Sequence, residues 1–149
     1  MAFTNSNDYL RGRLAAPHPA GGEVIACRFA IDLVAADLDA NDVGAVGILP
    51  AGCVPVALIV DADDLDTNAT PTNTMSVGLV NAGETDLETT WASGLQQART
   101  GTAGQVDLST AAQRMAATQA NRKFGIKFTA ASATKAAGTV GLTLLYRAV

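Results

Sequence analysis

The sequence predicts an all-β protein: an antiparallel β-sandwich, jelly-roll-like or Ig-like, with one or two short helices and an extended N-terminal arm. Apolar and polar residues alternate in several segments, which is the period-2 pattern of half-buried strands. Stretches rich in Pro, Gly, Asn and Asp separate these segments at short intervals. The length of 149 residues fits one such domain. We therefore divide the chain into an N-terminal arm, residues 1–22, and a β-sandwich domain, residues 23–149.

The first 22 residues have no sustained period and end in a stretch rich in Pro and Gly, which is typical of an extended leader. They nevertheless contain apolar side chains, for which a purely disordered tail has little use. The candidate contact residues of this interaction arm are Phe3, Tyr9, Leu10, Arg11, Arg13 and Leu14. Two alternatives remain open, because the arm can dock on a neighbouring subunit or fold back on its own domain.

The next segments predict strands. Residues 23–33 alternate most clearly, with the apolar parity running from Ile25 to Leu33. Residues 43–49 and 53–60 flank a Pro-Ala-Gly sequence, which predicts an antiparallel hairpin with a short loop. Pro55 has no N–H to donate and is expected at an edge or a bulge.

The middle of the chain changes character. Residues 61–71 form a polar, acidic loop, and residues 72–80 alternate like a strand. In residues 86–98, Leu87, Trp91 and Leu95 recur every four positions after a capping-box spacing of Thr85 and Glu88, which predicts a short helix. Trp91 is then expected to pack this helix on the sheet.

The C-terminal part returns to strands. Residues 105–108 are a candidate short strand, and residues 110–119 fit either a helix or an irregular strand. Residues 123–128 and 139–146 alternate across a small-residue connection. They predict an antiparallel ribbon with one face packed on the core.

The composition excludes several functional classes. Charged residues make up 16% of the chain, below the roughly one quarter typical of soluble domains, and the net charge is −4. Nucleic-acid binding requires a basic stripe, and here the basic residues are scattered. No apolar run has the length of a membrane span. No secretory signal is visible, so we expect the protein to be made and used in the cytoplasm, with buried, free thiols at Cys27 and Cys53 and a disulfide as the alternative.

Residues for catalysis and cofactor binding are sparse. The lone histidine, His18, lies between two prolines of the leader, and no nucleophile, metalloprotease or phosphate-loop motif occurs. We predict no catalytic residues, no cofactor and no enzymatic activity. The weak candidates for a hard cation are Asp61, Asp63, Asp64 and Asp66. They depart from the EF-hand pattern, so a solvated loop is favoured, with a carbohydrate- or cation-binding module as the alternative function.

Three stretches resemble small virion proteins of tailed bacteriophages, the kind encoded beside the major capsid protein. They are LPAGCVPV at residues 49–56, DADDLD at residues 61–66 and AGTVGLTLLYR at residues 137–147. The resemblance covers residues 23–149. It implies a decoration or cement protein, often a homotrimer, on the capsid exterior, bridging major capsid protein subunits without nucleic acid or membrane partners. The same modules occur in head-tail connectors and fibres, which remain the alternative location.

Overall fold

The computed structural model describes residues 2–149 and has two antiparallel sheets of four strands each. The strands are β1 (Val24–Leu33), β2 (Val43–Leu49), β3 (Cys53–Ala62), β4 (Thr74–Val80), β5 (Leu87–Leu95), β6 (Ala103–Val106), β7 (Arg122–Ala130) and β8 (Gly138–Ala148). One short α-helix, α1 (Thr110–Gln113), and two 3₁₀ turns, Ala35–Asp37 and Gln97–Arg99, complete the regular structure of these residues. None of their helices is long and apolar enough to span a membrane.

The strand order identifies the type of sandwich. Sheet one has the order β1-β8-β3-β6, and sheet two has the order β2-β7-β4-β5. The chain therefore crosses repeatedly from one sheet to the other, as in the eight-stranded jelly roll. The predicted all-β sandwich is confirmed, and of its two predicted types the jelly roll is the one observed.

Both predicted hairpins are wrong in their pairing, although their strands exist. β2 pairs with β7 and β3 pairs with β8, so consecutive strands lie in opposite sheets; the same is true of β7 and β8. The reason is that alternation shows which face a strand buries and carries no information about its neighbour. The short connection 50–52 spans the sandwich edge, with the Cys53 N–H donating to the Pro50 carbonyl at 3.2 Å. Pro55 does lie at a bulge, where the register shifts before Ala57.

The predicted helix over residues 86–98 is also wrong, because strand β5 occupies most of it. A spacing of four is a multiple of two, so it places Leu87, Trp91 and Leu95 on one face of a strand as readily as on one face of a helix. Trp91 is fully buried and stacks on Phe124 with ring centroids 5.4 Å apart. Trp91 is therefore a core residue, as predicted, although it lies on a strand and not on a helix.

Residues 110–119, for which helix and strand were both open, begin as the four-residue helix α1. The Ser109 hydroxyl caps it by accepting a hydrogen bond from the Ala112 N–H at 3.2 Å. The short strand predicted at 105–108 is β6, which begins two residues earlier. Cys27 and Cys53 are both buried and free, which confirms the expectation for the thiols.

Four aromatic rings form a continuous column through the sandwich. Tyr9 of the leader packs edge-on against Phe29 of β1 at 4.6 Å, and Phe29 packs against Phe124 of β7 at 5.2 Å. Trp91 of β5 continues the contact beyond Phe124. Gly47 lies between the two phenylalanines, and a Cβ there would come within 2.5 Å of Phe124 and 2.6 Å of Phe29. This aromatic column joins the leader, sheet one and sheet two in one core.

A buried carboxylate joins two loops at one end of the sandwich. Asp66 is 1% exposed and accepts backbone hydrogen bonds from Thr72 at 2.7 Å, Asn73 at 3.1 Å, and Ala133 and Thr134 at 2.9 Å. Burial by itself raises the pKa of Asp66, but these four donors lower it to about 2. The charged side chain therefore fixes the loop after β3 against the loop between β7 and β8.

We predict that Gly47→Ala destabilises the protein by about 1–3 kcal/mol, because the added methyl group overpacks the aromatic column. Chemical denaturation measures the free energy of unfolding. Gly104→Ala is the matched control, since a Cβ at Gly104 meets no atom within 4 Å. Equal effects of the two substitutions would contradict the close packing assigned to Gly47.

We predict that Asp66→Asn lowers the free energy of unfolding at pH 7 by about 2 kcal/mol, because an amide cannot replace a charged acceptor of four N–H groups. The folded-state pKa lies below the ordinary value of 3.8. The stabilisation is therefore complete above that value and is lost as the pH falls towards 2. Denaturation curves at several pH values should show a shallower acid slope for the variant. Asp64→Asn is the control, because its amide oxygen can still accept from the Asp66 N–H at an exposed position, and it should leave the free energy of unfolding at pH 7 close to that of the wild type.

Candidate functional site

The leader closes the side of the sandwich where β1 and β2 are the edge strands. The Asn7 side-chain amide donates hydrogen bonds to the carbonyls of Ala30 in β1 and Val46 in β2. Asn5 donates to the Asp32 carbonyl at 2.9 Å. Edge strands expose unpaired backbone groups that invite non-specific pairing, and the leader satisfies several of them. It is therefore part of the packed structure.

Two of the predicted contact residues attach the leader to its own domain. Phe3 lies over Gly44, where a Cβ would come within 2.4 Å of the ring, and its centroid is 6.0 Å from that of Phe128. Tyr9 belongs to the aromatic column described above. For Phe3 and Tyr9 the structure shows the fold-back alternative.

The end of the leader is held by backbone acceptors. The Tyr146 hydroxyl donates to the Pro17 carbonyl, and the two ring nitrogens of His18 lie 2.9 Å from the Pro19 carbonyl and 3.0 Å from the Ala51 carbonyl. The Cys53 sulfur is 3.8 Å from His18, and burial raises the pKa of this thiol. Activation of a nucleophilic cysteine requires a shift in the opposite direction.

The other four predicted contact residues form the outward part of the leader. Arg11, Arg13 and Leu14 are exposed, and Leu10 is half-buried. Leu14 is 52% exposed, and the Arg13 guanidinium is 3.6 Å from Asp8. Beside them is a surface pocket of about 400 Å³, the leader pocket. Its apolar lining consists of Tyr9, Leu10, Leu14, Ala15, Ala16, Ile48 and Pro50, with His18 and Asn121 as polar members.

A second candidate contact surface is the outer face of sheet one. At its centre the Arg28 guanidinium pairs with the Asp61 carboxylate at 2.6 Å. This ion pair covers Gly141, where a Cβ would come within 2.4 Å of both partners. Exposed apolar side chains flank it, with Val24 49% and Ile59 36% exposed. Asp32 and Arg147 are further exposed charges on this face. The face therefore combines a central ion pair and two peripheral charges with apolar surface, a composition suited to contact with protein.

The acidic loop has a structural role in this fold. Asp61 pairs with Arg28, Asp63 accepts from the Thr139 N–H at 2.8 Å, and Asp66 is the buried acceptor of four N–H groups. Asp64 accepts from the Asp66 N–H at 3.1 Å. Among residues 2–149 no group of three or more His, Cys, Asp or Glu is placed to hold a metal ion. The four weak cation candidates are thus directed to separate partners.

The sequence reasoning missed two components of these surfaces. Nothing in the leader marks Asn7 as the residue that joins the two sheets, because its partners are backbone carbonyls. For the outer face of sheet one, the sequence did contain a pattern that indicates a contact surface. In residues 23–33 the parity opposite the core contains Val24, Ala26 and Ala30 besides its charged residues, and that apolar content indicates a face with a partner.

Comparisons with known proteins place the chain among phage proteins. No protein-family model matches the sequence, and no curated protein matches it. Two solved structures do. A chain in the capsid of Ralstonia phage GP4 is 32% identical with a TM-score of 0.79, and the match covers 97% of each chain. A chain in the capsid of cyanophage Pam1 is 30% identical with a TM-score of 0.65, and the match covers 98% of each chain.

Both matches combine similarity in sequence with similarity in fold, and they extend over nearly the full length of each chain, including the leader. They confirm the expectation of a phage virion protein that the sequence resemblance raised. The chain therefore belongs to a family of bacteriophage capsid structural proteins.

Proposed function

We propose that this protein decorates the exterior of a phage capsid and stabilises it by bridging neighbouring major capsid protein subunits. The full-length likeness to chains of two phage capsids carries the proposal. The geometry supports it, because the leader pocket and the outer face of sheet one are two distinct contact surfaces. We further propose that its role is purely structural, without catalysis or a cofactor.

The proposal includes self-association, as the homotrimer that the sequence resemblance implies. We assign the contact between copies to the outer face of sheet one, where Ile59 and Val24 are exposed beside the Arg28–Asp61 pair. Three strands of about ten residues give this face on the order of 500 Å². That is below the ~800 Å² per partner of a standard interface, so further contacts must contribute.

Self-association multiplies the contacts with the capsid. Each copy presents one leader with Leu10, Arg11, Arg13 and Leu14, so an oligomer presents several leaders in fixed positions. Contacts that are individually weak become strong in sum when they are made simultaneously on a lattice. A ring of copies on the capsid exterior would in this way bridge several capsid subunits.

We predict that capsids produced without this protein bind it saturably when it is added back, and that their disruption temperature then rises. The physical reason is that each copy joins neighbouring subunits that would otherwise separate independently. Electron microscopy measures occupancy and location, and light scattering on heating measures disruption. Free capsid subunits serve as the control and should bind weakly. Density confined to the neck or fibres would support the connector alternative instead.

We predict that Ile59→Arg weakens self-association by about thirtyfold, equivalent to roughly 2 kcal/mol, because it inserts an unpaired charge into an apolar contact. Sedimentation measures the oligomer distribution. Ser93→Arg, which adds the same charge at an exposed position of β5, is the control. If the Ile59 variant associates like the wild type, the outer face of sheet one is not the contact between copies.

A further inference from the structure

We infer that the leader pocket receives an apolar side chain from an acidic segment of the capsid shell, with Arg11 and Arg13 pairing with the carboxylates beside it. This inference rests on the proposed function and specifies the chemistry of the partner. It concerns the outward part of the leader alone.

The pocket is formed before any partner arrives. Tyr9 fixes its inner wall through the aromatic column, and the Pro17 and His18 contacts fix the far end of the leader. Ile48 and Pro50 supply the wall from the domain. Its volume of about 400 Å³ lies within the range of pockets that bind ligands. A preformed apolar pocket binds a side chain without the cost of ordering its own walls.

The charges beside the pocket indicate the sign of the partner. Among residues 2–149 the Arg11 guanidinium makes no ion pair or hydrogen bond, and its side chain is exposed. The Arg13 guanidinium makes one ion pair, at 3.6 Å with Asp8, and 70% of its side chain is exposed. Arg11 and Arg13 alternate along the chain with Leu10, Gly12 and Leu14, which line the leader pocket, so a protein with a net charge of −4 places two exposed guanidinium groups next to this pocket. Guanidinium groups match carboxylates in geometry as well as in charge.

A third cation lies along the same edge. Lys123 is exposed and directly opposite Ile48 in the β2–β7 register, so both side chains are on one face of sheet two. Glu84 and Glu88 each line a neighbouring cavity together with Lys123, and Glu88 also lies near Arg122. His18 is engaged by backbone carbonyls. Lys123 is thus accompanied by carboxylates, and the surplus of positive charge is that of Arg11 and Arg13 against Asp8, which favours an acidic segment.

The chain's own acidic segments are not free to occupy the pocket of a second copy. Two of its acid-Leu-acid stretches centre on Leu38 and Leu65, both fully buried in the core. The third begins at Asp86, which pairs with Lys127 at 2.8 Å. The occupant is therefore a segment of another protein of the shell.

The test is binding to capsids produced without this protein, measured over a range of salt concentrations. We expect the double variant Arg11→Glu, Arg13→Glu to bind about a hundredfold more weakly than the wild type, with a reduced dependence on salt. Leu14→Asp should weaken binding by about tenfold, because it places a carboxylate at the apolar mouth of the pocket. Arg114→Glu, an exposed charge reversal on another loop, is the control and should bind like the wild type.

The outcomes separate this inference from the proposed function. Wild-type protein that fails to bind these capsids contradicts the proposed function itself. Wild-type binding that the leader variants leave unchanged overturns the leader pocket and leaves decoration standing. Variants that lose self-association while each remaining copy still binds the capsid show that a second copy is the occupant, which also overturns the inference. Melting temperatures near that of the wild type establish that the variants are folded.

Discussion

The aromatic column is the contact on which the rest of the structure depends. Tyr9, Phe29, Phe124 and Trp91 pass from the leader through both sheets at centroid separations of 4.6 to 5.4 Å. Aromatic pairs in these geometries add to the stabilisation that burial of their area already gives. Because the leader supplies one end of the column, the core and the leader pocket depend on the same packing. A perturbation at Gly47, in the middle of the column, should therefore alter the leader pocket as well as the stability.

Sequence periodicity predicted which residues form strands, but it could not predict how those strands pair. The pairs β2–β3 and β7–β8 are adjacent in sequence and lie in opposite sheets, since a jelly roll repeatedly crosses the sandwich. For β7 and β8 the predicted buried face is correct, because alternation reports burial directly. The helix prediction for residues 86–98 was wrong for a related reason, because a spacing of four residues fits one face of a strand as well as one face of a helix. The antiparallel pairing of β5 with β4 distinguishes the two, and no local pattern contains this long-range contact.

The candidate site was predictable as a segment and not as a surface. Composition predicted a contact role for the leader, but Phe3 and Tyr9 cannot be distinguished from Leu10 and Leu14 without knowing which cavities the domain offers. Gly44 creates the space for Phe3, at a distance of about forty residues along the chain. The acidic loop shows the converse. Asp66 resembles a cation ligand in sequence, and two of its four backbone donors come from a loop that is remote in sequence.

Rigidity explains how a small, weakly charged domain can act on a large lattice. A leader held by Asn7, Tyr9 and Tyr146 loses little conformational entropy on binding, so a modest contact retains more of its favourable free energy. The outer face of sheet one contains a self-neutralised ion pair, which limits the electrostatic cost of covering it. In the proposed assembly one surface joins the copies and the other joins the capsid. Neither contact has to be strong alone, because the lattice makes them act together.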